Sequence, residues 1–391
     1  MIKDIFAIPI WNNLGGRTFK VVVKTDQGNF SASAPAGESR GRWEAAYADY
    51  GRAAAAFPEL KQALMGMQES EWDRADNLIE RAAGRNFEKT GAQLSIATSM
   101  AVVRAAALGQ VWQLLDSQAT RFPLPVGNVA GGGMHGGRSM SIQEILIIPA
   151  RARSMEEAIQ TNFDVWNEVG RKLAGHGKDD EGAWISGWDD VKTLDVVSSV
   201  AESRGCALGV DIAANSLWQK GKYVWEALGQ KFDAGEQLEF VKLMAEKYKL
   251  VYIEDPFRDD DLQSFAALRK KTKAMIVVDD LTGTQPTRVA QAAQQGSAGG
   301  VIIKPDQAGT VSKALRAIDQ AKNGKMAHIV SHRAAETNDT FIADMAVGTG
   351  APLIKCGIAG GERVAKLNRL MEIWAAISER TKPEVTRIKF G

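Results

Sequence analysis

Three charged residues stand at equal intervals in the second half of this 391-residue chain. Glu254, Asp279 and Lys304 each follow a short apolar, β-branched run, and each lies 25 positions after the one before it. A strand, a turn, a helix and a return loop take about that many residues. In a barrel of parallel strands, polar residues at the carboxyl ends of the strands converge on one site. We therefore expect the three to share a site, although each charge could simply mark where a strand meets solvent.

Other strand-like runs and loops in this half also carry polar residues that could do chemistry. The strand ends supply Asp211 and Lys355, and the loop GKDDEGAW supplies Glu181. A glycine-rich loop precedes Gln143 and Glu144, and the run KMAHIVSHR ends in a histidine and an arginine. The complete set of strand-end and loop candidates is Glu144, Glu181, Asp211, Glu254, Asp279, Lys304, His332, Arg333 and Lys355.

The acids of this set point to a metal. Asp211, Glu254 and Asp279 would end successive strands, and three unpaired carboxylates repel strongly in a cleft of low dielectric. A divalent ion removes that conflict, and this number of oxygen ligands suits Mg²⁺ with water completing the octahedron. Beside the metal and Lys355, we expect the pKa of Lys304 to fall, so that its neutral form can act as a base. A base next to Mg²⁺ is suited to removing a proton alpha to a carboxylate.

Composition excludes several classes of protein. The net charge of +1 gives no global field that would favour nucleic acid or an anionic membrane. We find no apolar run of about 18 residues and no signal peptide, so we expect a cytoplasmic protein without a membrane span. Cys206 and Cys356 suit neither a disulfide framework nor a thiolate site, and the chain has only four histidines. Any metal should therefore be a hard ion on carboxylates.

The order of the elements predicts two domains. Residues 1–35 are strand-like, residues 34–43 form a small polar loop, and residues 43–118 have helical patterns. Strands followed by a run of helices are typical of a separate α+β domain. Two prolines in FPLPVGN mark the boundary. The predicted domains are an α+β capping domain at 1–121 and a catalytic α/β barrel at 122–391.

Several motifs match one enzyme family in that family's order, from about residue 34 to residue 370. They are IEDPF, DDLTGT, SHRAAETNDTFIAD, GERVAKLNRL, the QE pair after the glycine-rich loop, and KTGAQL with RAAA further on. In these motifs the chain resembles enolase, the phosphopyruvate hydratase of glycolysis, whose superfamily is known for a lysine base beside Mg²⁺. The resemblance implies a βα barrel with irregular first units under a smaller N-terminal α+β domain. It also implies a homodimer or higher homo-oligomer that dehydrates 2-phosphoglycerate to phosphoenolpyruvate.

The resemblance assigns roles by position. The implied catalytic residues are Lys304 as the base that takes the C2 proton, Glu181 as the acid that assists loss of the C3 hydroxyl, and Glu144 in support of that acid. The implied metal ligands are Asp211, Glu254 and Asp279 for a first Mg²⁺, and Ser39 for a second Mg²⁺ that arrives with substrate. The implied substrate-binding residues are His135, Gln143, His332, Arg333 for phosphate, Lys355 for carboxylate, and Ser39.

The chain departs from the family on the phosphate side and in the closing loop. The changed residues are Glu38 and Arg40 beside Ser39, Met134 and Arg138 beside the loop histidine, Asp306 for an asparagine and Ala334 for a phosphate-binding serine. Losing the serine would cost about 1–3 kcal/mol, and Arg40 or Arg138 could compensate. The chain is then either an enolase with neutral changes or a paralogue for another small phospho- or phosphono-carboxylic acid. A non-catalytic descendant is less favoured, because Lys304 and the metal acids remain.

Overall fold

The computed structural model describes residues 1–37, 41–136, 139–173 and 177–388, apart from the side chain of residue 135. The chain begins with a three-stranded antiparallel sheet that is followed by helices. The strands are β1 (Ile2–Trp11), β2 (Arg17–Thr25) and β3 (Gly28–Ser33). The helices are α1 (Tyr50–Leu64), α2 (Trp72–Ala83), α3 (Gly91–Ala106) and α4 (Val111–Leu115), with 3₁₀ turns at Glu69–Glu71 and Arg85–Phe87.

Helix α3 forms the centre of this first part. Nearly all of its residues are buried, because small side chains let other elements approach it from several sides. It packs against β2 and β3 on one side and against α2 on another. An alanine-rich, apolar sequence of this kind suits a helix that is buried nearly all round.

The rest of the chain alternates strands and helices. Its strands are β4 (Arg121–Phe122), β5 (Leu124–Gly131), β6 (Glu144–Ile148), β7 (Trp184–Ile185), β8 (Ala207–Asp211), β9 (Trp218–Gln219), β10 (Lys222–Trp225), β11 (Gln230–Phe232), β12 (Tyr252–Glu254), β13 (Met275–Val278), β14 (Gly300–Ile303), β15 (Ala327–Ser331), β16 (Leu353–Lys355) and β17 (Glu384–Val385). Its helices are α5 (Gly133–Gly136), α6 (Met155–Lys172), α7 (Asp190–Ser203), α8 (Ala234–Lys247), α9 (Leu262–Lys271), α10 (Pro286–Gln294), α11 (Pro305–Ala308), α12 (Val311–Asn323), α13 (Phe341–Thr349) and α14 (Gly361–Ser378), with a 3₁₀ turn at Glu226–Leu228.

Eight of these strands close into a barrel. Around the ring they run β5, β6, β8, β12, β13, β14, β15 and β16, and β16 pairs with β5 to close it. The pairs from β8 to β16 are parallel, whereas β6 runs antiparallel to both β5 and β8. The predicted βα barrel with irregular first units is thus confirmed. The predicted division between residues 121 and 122 falls inside β4 and stays a prediction.

The equal spacing of the three charges has its basis in this barrel. Glu254 ends β12, while Asp279 and Lys304 directly follow β13 and β14. Because these strands are parallel and in register, the three residues lie at the same edge of the barrel. The antiparallel β6 brings its first residue, Glu144, to the same edge, where it pairs with Asp211.

Helix α2 of the first part is bonded to the start of the barrel helix α12. The Asp76 carboxylate accepts hydrogen bonds from the backbone N–H and the hydroxyl of Ser312, both at 2.7 Å. The Ser99 hydroxyl accepts the N–H of Val311 at 2.9 Å. These bonds satisfy amides that the first turn of a helix leaves without partners. They fix the N-terminal elements against the barrel.

Two features bear on the protein's environment. Among the residues that the structure describes, no helix has both the length and the apolar character needed to cross a membrane. Cys206 and Cys356 are both free thiols, so no disulfide joins them.

Candidate active site

A cavity of about 510 Å³ opens at the barrel edge that carries the strand-end charges. Residues of the N-terminal part, among them Arg42 and Glu44, complete its wall. The described residues that line it include eight acidic and four basic side chains, which leaves a formal charge of −4. A cleft of this sign attracts cations and repels an anionic substrate unless cations accompany it.

Lys355 lies in the middle of the acidic residues. Its ammonium nitrogen is 2.9 Å from Asp211 Oδ2, 3.0 Å from Glu254 Oε1 and 3.1 Å from Glu144 Oε2. All four side chains are buried. Burial lowers the pKa of Lys355, but Asp211 and Glu144 outweigh it, so the pKa is held well above its usual value. Two of the three predicted metal ligands, Asp211 and Glu254, are thus paired with a lysine, and their role as ligands stays a prediction.

Lys304 forms a second ion pair in the same cavity. Its ammonium nitrogen is 2.5 Å from Asp279 Oδ2, and Gln307 donates to the other carboxylate oxygen at 3.2 Å. Burial and Lys355 both lower the pKa of Lys304, as expected, but the Asp279 carboxylate outweighs them and the pKa is raised. The fall in this pKa was predicted for a lysine beside a bound metal ion, so it stays a prediction for the metal-bound site.

Glu181 lies across the cavity beside a buried histidine. The loop before β7 places Glu181 Oε2 3.6 Å from His332 Nε2 and 3.5 Å from Asn128 Nδ2. The other ring nitrogen of His332 is 2.6 Å from the Arg363 guanidinium. Burial, followed by the charge of Arg363, holds the pKa of His332 well below its usual value, so this imidazole is neutral.

Gln143 and Glu144 enter the cavity from the start of β6. Their backbone is fixed by Asp190, the first residue of α7, whose Oδ1 accepts the N–H groups of Ser141 at 2.8 Å and Ile142 at 2.7 Å. The Gln143 N–H donates to the carbonyl of Asp211 at 3.0 Å. Burial raises the pKa of Glu144 far above its usual value. This carboxyl group is therefore a candidate for carrying a proton.

Arg333 lies between two buried carboxylates. Its guanidinium is 2.9 Å from Glu44 Oε2 and 3.1 Å from Asp306 Oδ2. The Tyr47 hydroxyl donates to the same oxygen of Asp306 at 2.5 Å. Burial lowers the pKa of Arg333, but Asp306 and Glu44 raise it well above its ordinary value. The residue expected to meet phosphate thus already has two anionic partners, and Ala334 beside it offers no hydroxyl group.

The predicted ligand set has the chemistry that a hard divalent ion requires. Asp211, Glu254 and Asp279 are all buried carboxylates. Asp211 and Glu254 both contact Lys355, whereas Asp279 contacts Lys304. Burial and the nearby Asp211 raise the pKa of Glu254 to about 8, which shows how unfavourable the collected negative charge is. An oxygen-rich, anionic set of this kind suits Mg²⁺ or Ca²⁺ rather than a softer metal.

A second carboxylate trio lies next to the first. Asp255, Asp279 and Asp280 have ligand atoms within 4.8 Å of one another, the arrangement that a shared ion needs. Both oxygens of Asp255, however, are engaged, because they accept the backbone N–H groups of Asp279 at 3.0 Å and Asp280 at 2.8 Å. Asp255 therefore shapes the end of β13, and Asp279 belongs to both trios.

Part of the predicted site lies outside the described residues. Ser39, Glu38, Arg40 and Arg138 are all in this group, and of His135 only the backbone is described. Met134 lines the cavity and is exposed, and Ala334 lines it as well. Every other predicted site residue lies in or directly beside the cavity.

Sequence reasoning missed several residues of the site. Asp255 and Asp280 directly follow Glu254 and Asp279, so the doubled acids ED and DD were a usable signal. Glu44 and Tyr47 left no such signal, because their contacts depend on how the first domain meets the barrel. The contact of Asp306 with Arg333 joins two loops of the barrel and left no local signal either.

Two family models match most of the chain. The family model described as the N-terminal domain of enolase matches residues 2–116, and that of the C-terminal TIM barrel domain of enolase matches residues 119–387. The chain belongs to the enolase family. It is 40% identical over 377 residues to the enolase of Pyrobaculum aerophilum, covering 89% of this chain and 90% of that protein. It is 34% identical over 394 residues to the enolase of Archaeoglobus fulgidus, covering 95% and 97%.

The chain is also similar to another enolase. The chain is 36% identical over 396 residues to the enolase of Natronomonas pharaonis, covering 96% of this chain and 99% of that protein. Both enolase domains are therefore represented over nearly their whole length.

Proposed function

We propose that this protein dehydrates 2-phosphoglycerate to phosphoenolpyruvate, reversibly, as a hydro-lyase of glycolysis and gluconeogenesis. The observation that carries the proposal is the placement of Lys304 and Glu181 in one cavity with Lys355 and a cluster of buried carboxylates. The reaction removes a proton from C2 and a hydroxyl group from C3, which leaves as water while the C2–C3 double bond forms. A base and an acid on one cavity are what this chemistry needs.

Lys304 is the base in this mechanism. Its neutral amine takes the C2 proton, and the electron pair moves into the substrate carboxylate to give an ene-diolate. The 2.5 Å contact with Asp279 favours the protonated lysine, so the base becomes available when the Asp279 charge is engaged by another cation. Lys355, already among carboxylates, is the group that holds the substrate carboxylate.

Glu181 is the acid, supported by Glu144. Protonated Glu181 donates to the departing C3 hydroxyl, and the neutral His332 at 3.6 Å does not compete by charge for that proton. Gln143 and His332 bind substrate beside it. The role of His135 in the same pocket rests on the family resemblance.

Asp211, Glu254 and Asp279 are the residues that would hold a first Mg²⁺, and Ser39 would help to hold a second one that arrives with substrate. When bound, Mg²⁺ supplies positive charge that stabilises the dianionic ene-diolate. The formal charge of −4 on the cavity lining supports a requirement for more than one such charge.

A second candidate function is dehydration of another small phospho- or phosphono-carboxylic acid. Ala334 and the double pairing of Arg333 favour it, because both weaken the groups expected to meet a phosphate dianion. A non-catalytic role is the third candidate, and the retained Lys304 and Glu181 argue against it.

We also propose a homo-oligomer, most simply a dimer through β1. This strand is at the edge of its sheet and exposes Phe6 (43%), Ile8 (43%) and Trp11 (62%), with Leu14 (44%) just beyond it. An apolar edge strand is a surface that proteins usually cover. Light scattering of Trp11→Glu beside the unchanged protein tests the dimer, and an unaltered mass would refute this interface.

A cytoplasmic location is proposed as well, since the free thiols suit a reducing compartment.

The deciding experiment is an ultraviolet assay for phosphoenolpyruvate on addition of 2-phosphoglycerate with Mg²⁺, repeated with a chelator. A Mg²⁺-dependent rise that Lys304→Ala abolishes supports the proposal. If no rise occurs although Mg²⁺ binds, the assay is repeated with phosphono-carboxylic acids and larger 2-phospho acids. Turnover of one of these acids would show that the protein is a paralogue with another substrate. If none of them is turned over, the non-catalytic role is supported.

A further inference from the structure

The cations inside the cavity are already paired with carboxylates. Arg333 is within 3.1 Å of both Glu44 and Asp306, and Lys304 is 2.5 Å from Asp279. Lys355 is surrounded by the other acids. A phosphoryl group that enters the cavity gains less from a guanidinium whose charge two buried carboxylates already offset. An additional positive side chain near Arg333 would therefore strengthen the binding of a phosphoryl group.

Arg42 is the remaining base among the described residues that line the cavity. In the part of the chain that the structure describes, Arg42 is exposed and forms no ion pair, although its charge acts at longer range on the pKa of Asp259. It stands two positions before Glu44, the partner of Arg333, and the intervening turn is closed by a bond of 2.9 Å from the Gly41 N–H to Glu44. Arg42 therefore belongs to the same wall of the cavity as Arg333.

We propose that Arg42 binds the phosphoryl group of the substrate and makes the site selective for phosphorylated carboxylic acids. This inference rests on the proposed function in one respect, that the substrate is a phosphorylated carboxylate. A guanidinium can give two parallel hydrogen bonds to phosphate oxygens, which a serine hydroxyl such as the one absent at Ala334 cannot do.

Trp43 holds the guanidinium of Arg42 in place. The Arg42 guanidinium carbon lies over the indole ring at 4.7 Å from its centre, a cation–π contact. The indole is itself fixed, because its N–H donates to the carbonyl of Asp259 at 3.3 Å and Arg288 lies over the ring at 3.7 Å. Trp43 is thus a positioning residue for Arg42.

Arg288 anchors this arrangement to the barrel. It donates to the carbonyl of Leu281 at 2.6 Å and to that of Asp259 at 3.1 Å. The Asp259 N–H in turn donates to Asn215 Oδ1 at 3.0 Å. The loop after β12 and Arg288 thus hold Trp43, and they are themselves bonded to the loops after β8 and β13.

The test uses two ligands that differ only in the phosphoryl group. Binding of phosphoglycolate and of glycolate to the full-length protein is measured by calorimetry in Mg²⁺ buffer, for the unchanged protein and for Arg42→Ala. We expect about a ten- to hundredfold loss of phosphoglycolate affinity, since a hydrogen bond to a charged group is lost, and unchanged glycolate affinity. Arg42→Lys should recover part of the loss.

The control variant is Arg52→Ala, which removes an exposed guanidinium of α1 that does not line the cavity. It should bind both ligands like the unchanged protein. Equal phosphoglycolate affinity in Arg42→Ala and the unchanged protein would overturn the inference, as would an equal loss for both ligands. If Arg42→Ala does not fold, Arg42→Gln takes its place.

The positioning role has its own readout. Trp43→Leu should weaken phosphoglycolate binding, and adding Arg42→Ala to it should cause little further loss, because the two residues act together. Fully additive losses of affinity would show that Trp43 does not position Arg42. These binding measurements do not depend on turnover. If the protein does not convert 2-phosphoglycerate but Arg42→Ala still loses phosphoglycolate affinity selectively, the proposed function is refuted and the inference about Arg42 stands.

Discussion

The ammonium nitrogen of Lys304 lies 2.5 Å from a carboxylate oxygen of Asp279, at the ends of two neighbouring barrel strands. The proposed base and a proposed metal ligand are thus direct partners. Although burial raises the pKa of Asp279, Lys304 outweighs it and the pKa lies below its usual value. A cation that binds Asp279 offsets the carboxylate charge that raises the pKa of Lys304. Metal binding would therefore favour the neutral, basic form of the lysine.

We expect Lys304→Ala to abolish turnover of 2-phosphoglycerate while leaving the fold intact. Loss of a general base reduces kcat by about 10²–10⁴-fold. Stopped-flow or steady-state kinetics measure the loss, with circular dichroism as the check on folding. Lys322→Ala, on the surface of α12, is the control and should retain full activity. Appreciable turnover in the Lys304 variant would contradict the mechanism.

Mg²⁺ titrations can decide which carboxylate trio holds the metal. We expect Asp279→Asn and Asp211→Asn each to weaken Mg²⁺ binding by tenfold or more, about 1.4 kcal/mol. Asp280→Asn should weaken it much less, because Asp280 belongs only to the second trio and accepts a bond from Asn215 at 3.1 Å. The opposite order, with Asp280 critical and Asp211 dispensable, would place the ion between Asp279 and Asp280.

The partnership of Arg333 with Asp306 gives a third prediction. Asp306→Asn removes one of the two anionic partners of Arg333 and leaves a side chain that can still accept from Tyr47. We expect tighter binding of phosphoglycolate by several-fold and a lower KM for a phosphorylated substrate, with glycolate unaffected. Asp319→Asn, on α12, is the charge-matched control. Weaker phosphoglycolate binding in the Asp306 variant would show that this carboxylate supports Arg333 instead of offsetting it.

The sequence was sufficient for the parts of the site that repeat along the chain. Glu254, Asp279 and Lys304 could be assigned to one edge because a βα unit has a nearly fixed length and parallel strands keep their register. The helix starts at Ser154 and Thr310 could be predicted from their capping side chains, and both accept the expected N–H group.

The pairing inside the site could not be predicted in the same way. Lys355 meets Glu144 because β6 runs antiparallel, and no local pattern in QEILIIPA specifies that direction. Arg333 and Glu44 are 289 positions apart, and their contact depends on how the first domain meets the barrel. Whether a charge is free or paired is a tertiary property, so the ion pair between Lys304 and Asp279 could not be predicted from the sequence.

Asp190 gives a prediction about loop positioning. Its carboxylate holds the backbone before Gln143 and Glu144, so we expect Asp190→Ala to reduce kcat by about 10²-fold through misplacement of these groups. Asp190→Asn keeps an acceptor oxygen and should recover most of the rate, which separates positioning from a loss of folding. The control is Asp189→Ala, which removes the cap of the same helix and should lower stability more than kcat. Equal kcat in all three variants would refute the role.

The bond between α2 and α12 should make stability depend on pH. Burial raises the pKa of Asp76 from 3.8 to about 6, and the nearby Glu80 adds to the shift. Because the folded state binds this proton more tightly than the unfolded state, its contribution to stability is full below about pH 4 and is lost as the pH rises through 6. The loss corresponds to about 3 kcal/mol.

Asp76→Asn lacks this titration, so its Tm relative to the unchanged protein should rise by a few degrees between pH 4 and pH 7. Scanning calorimetry across this range measures the difference, with Asp73→Asn, exposed on the same helix, as the control. Parallel Tm profiles for Asp76→Asn and the unchanged protein would mean that Asp76 titrates normally in the folded state.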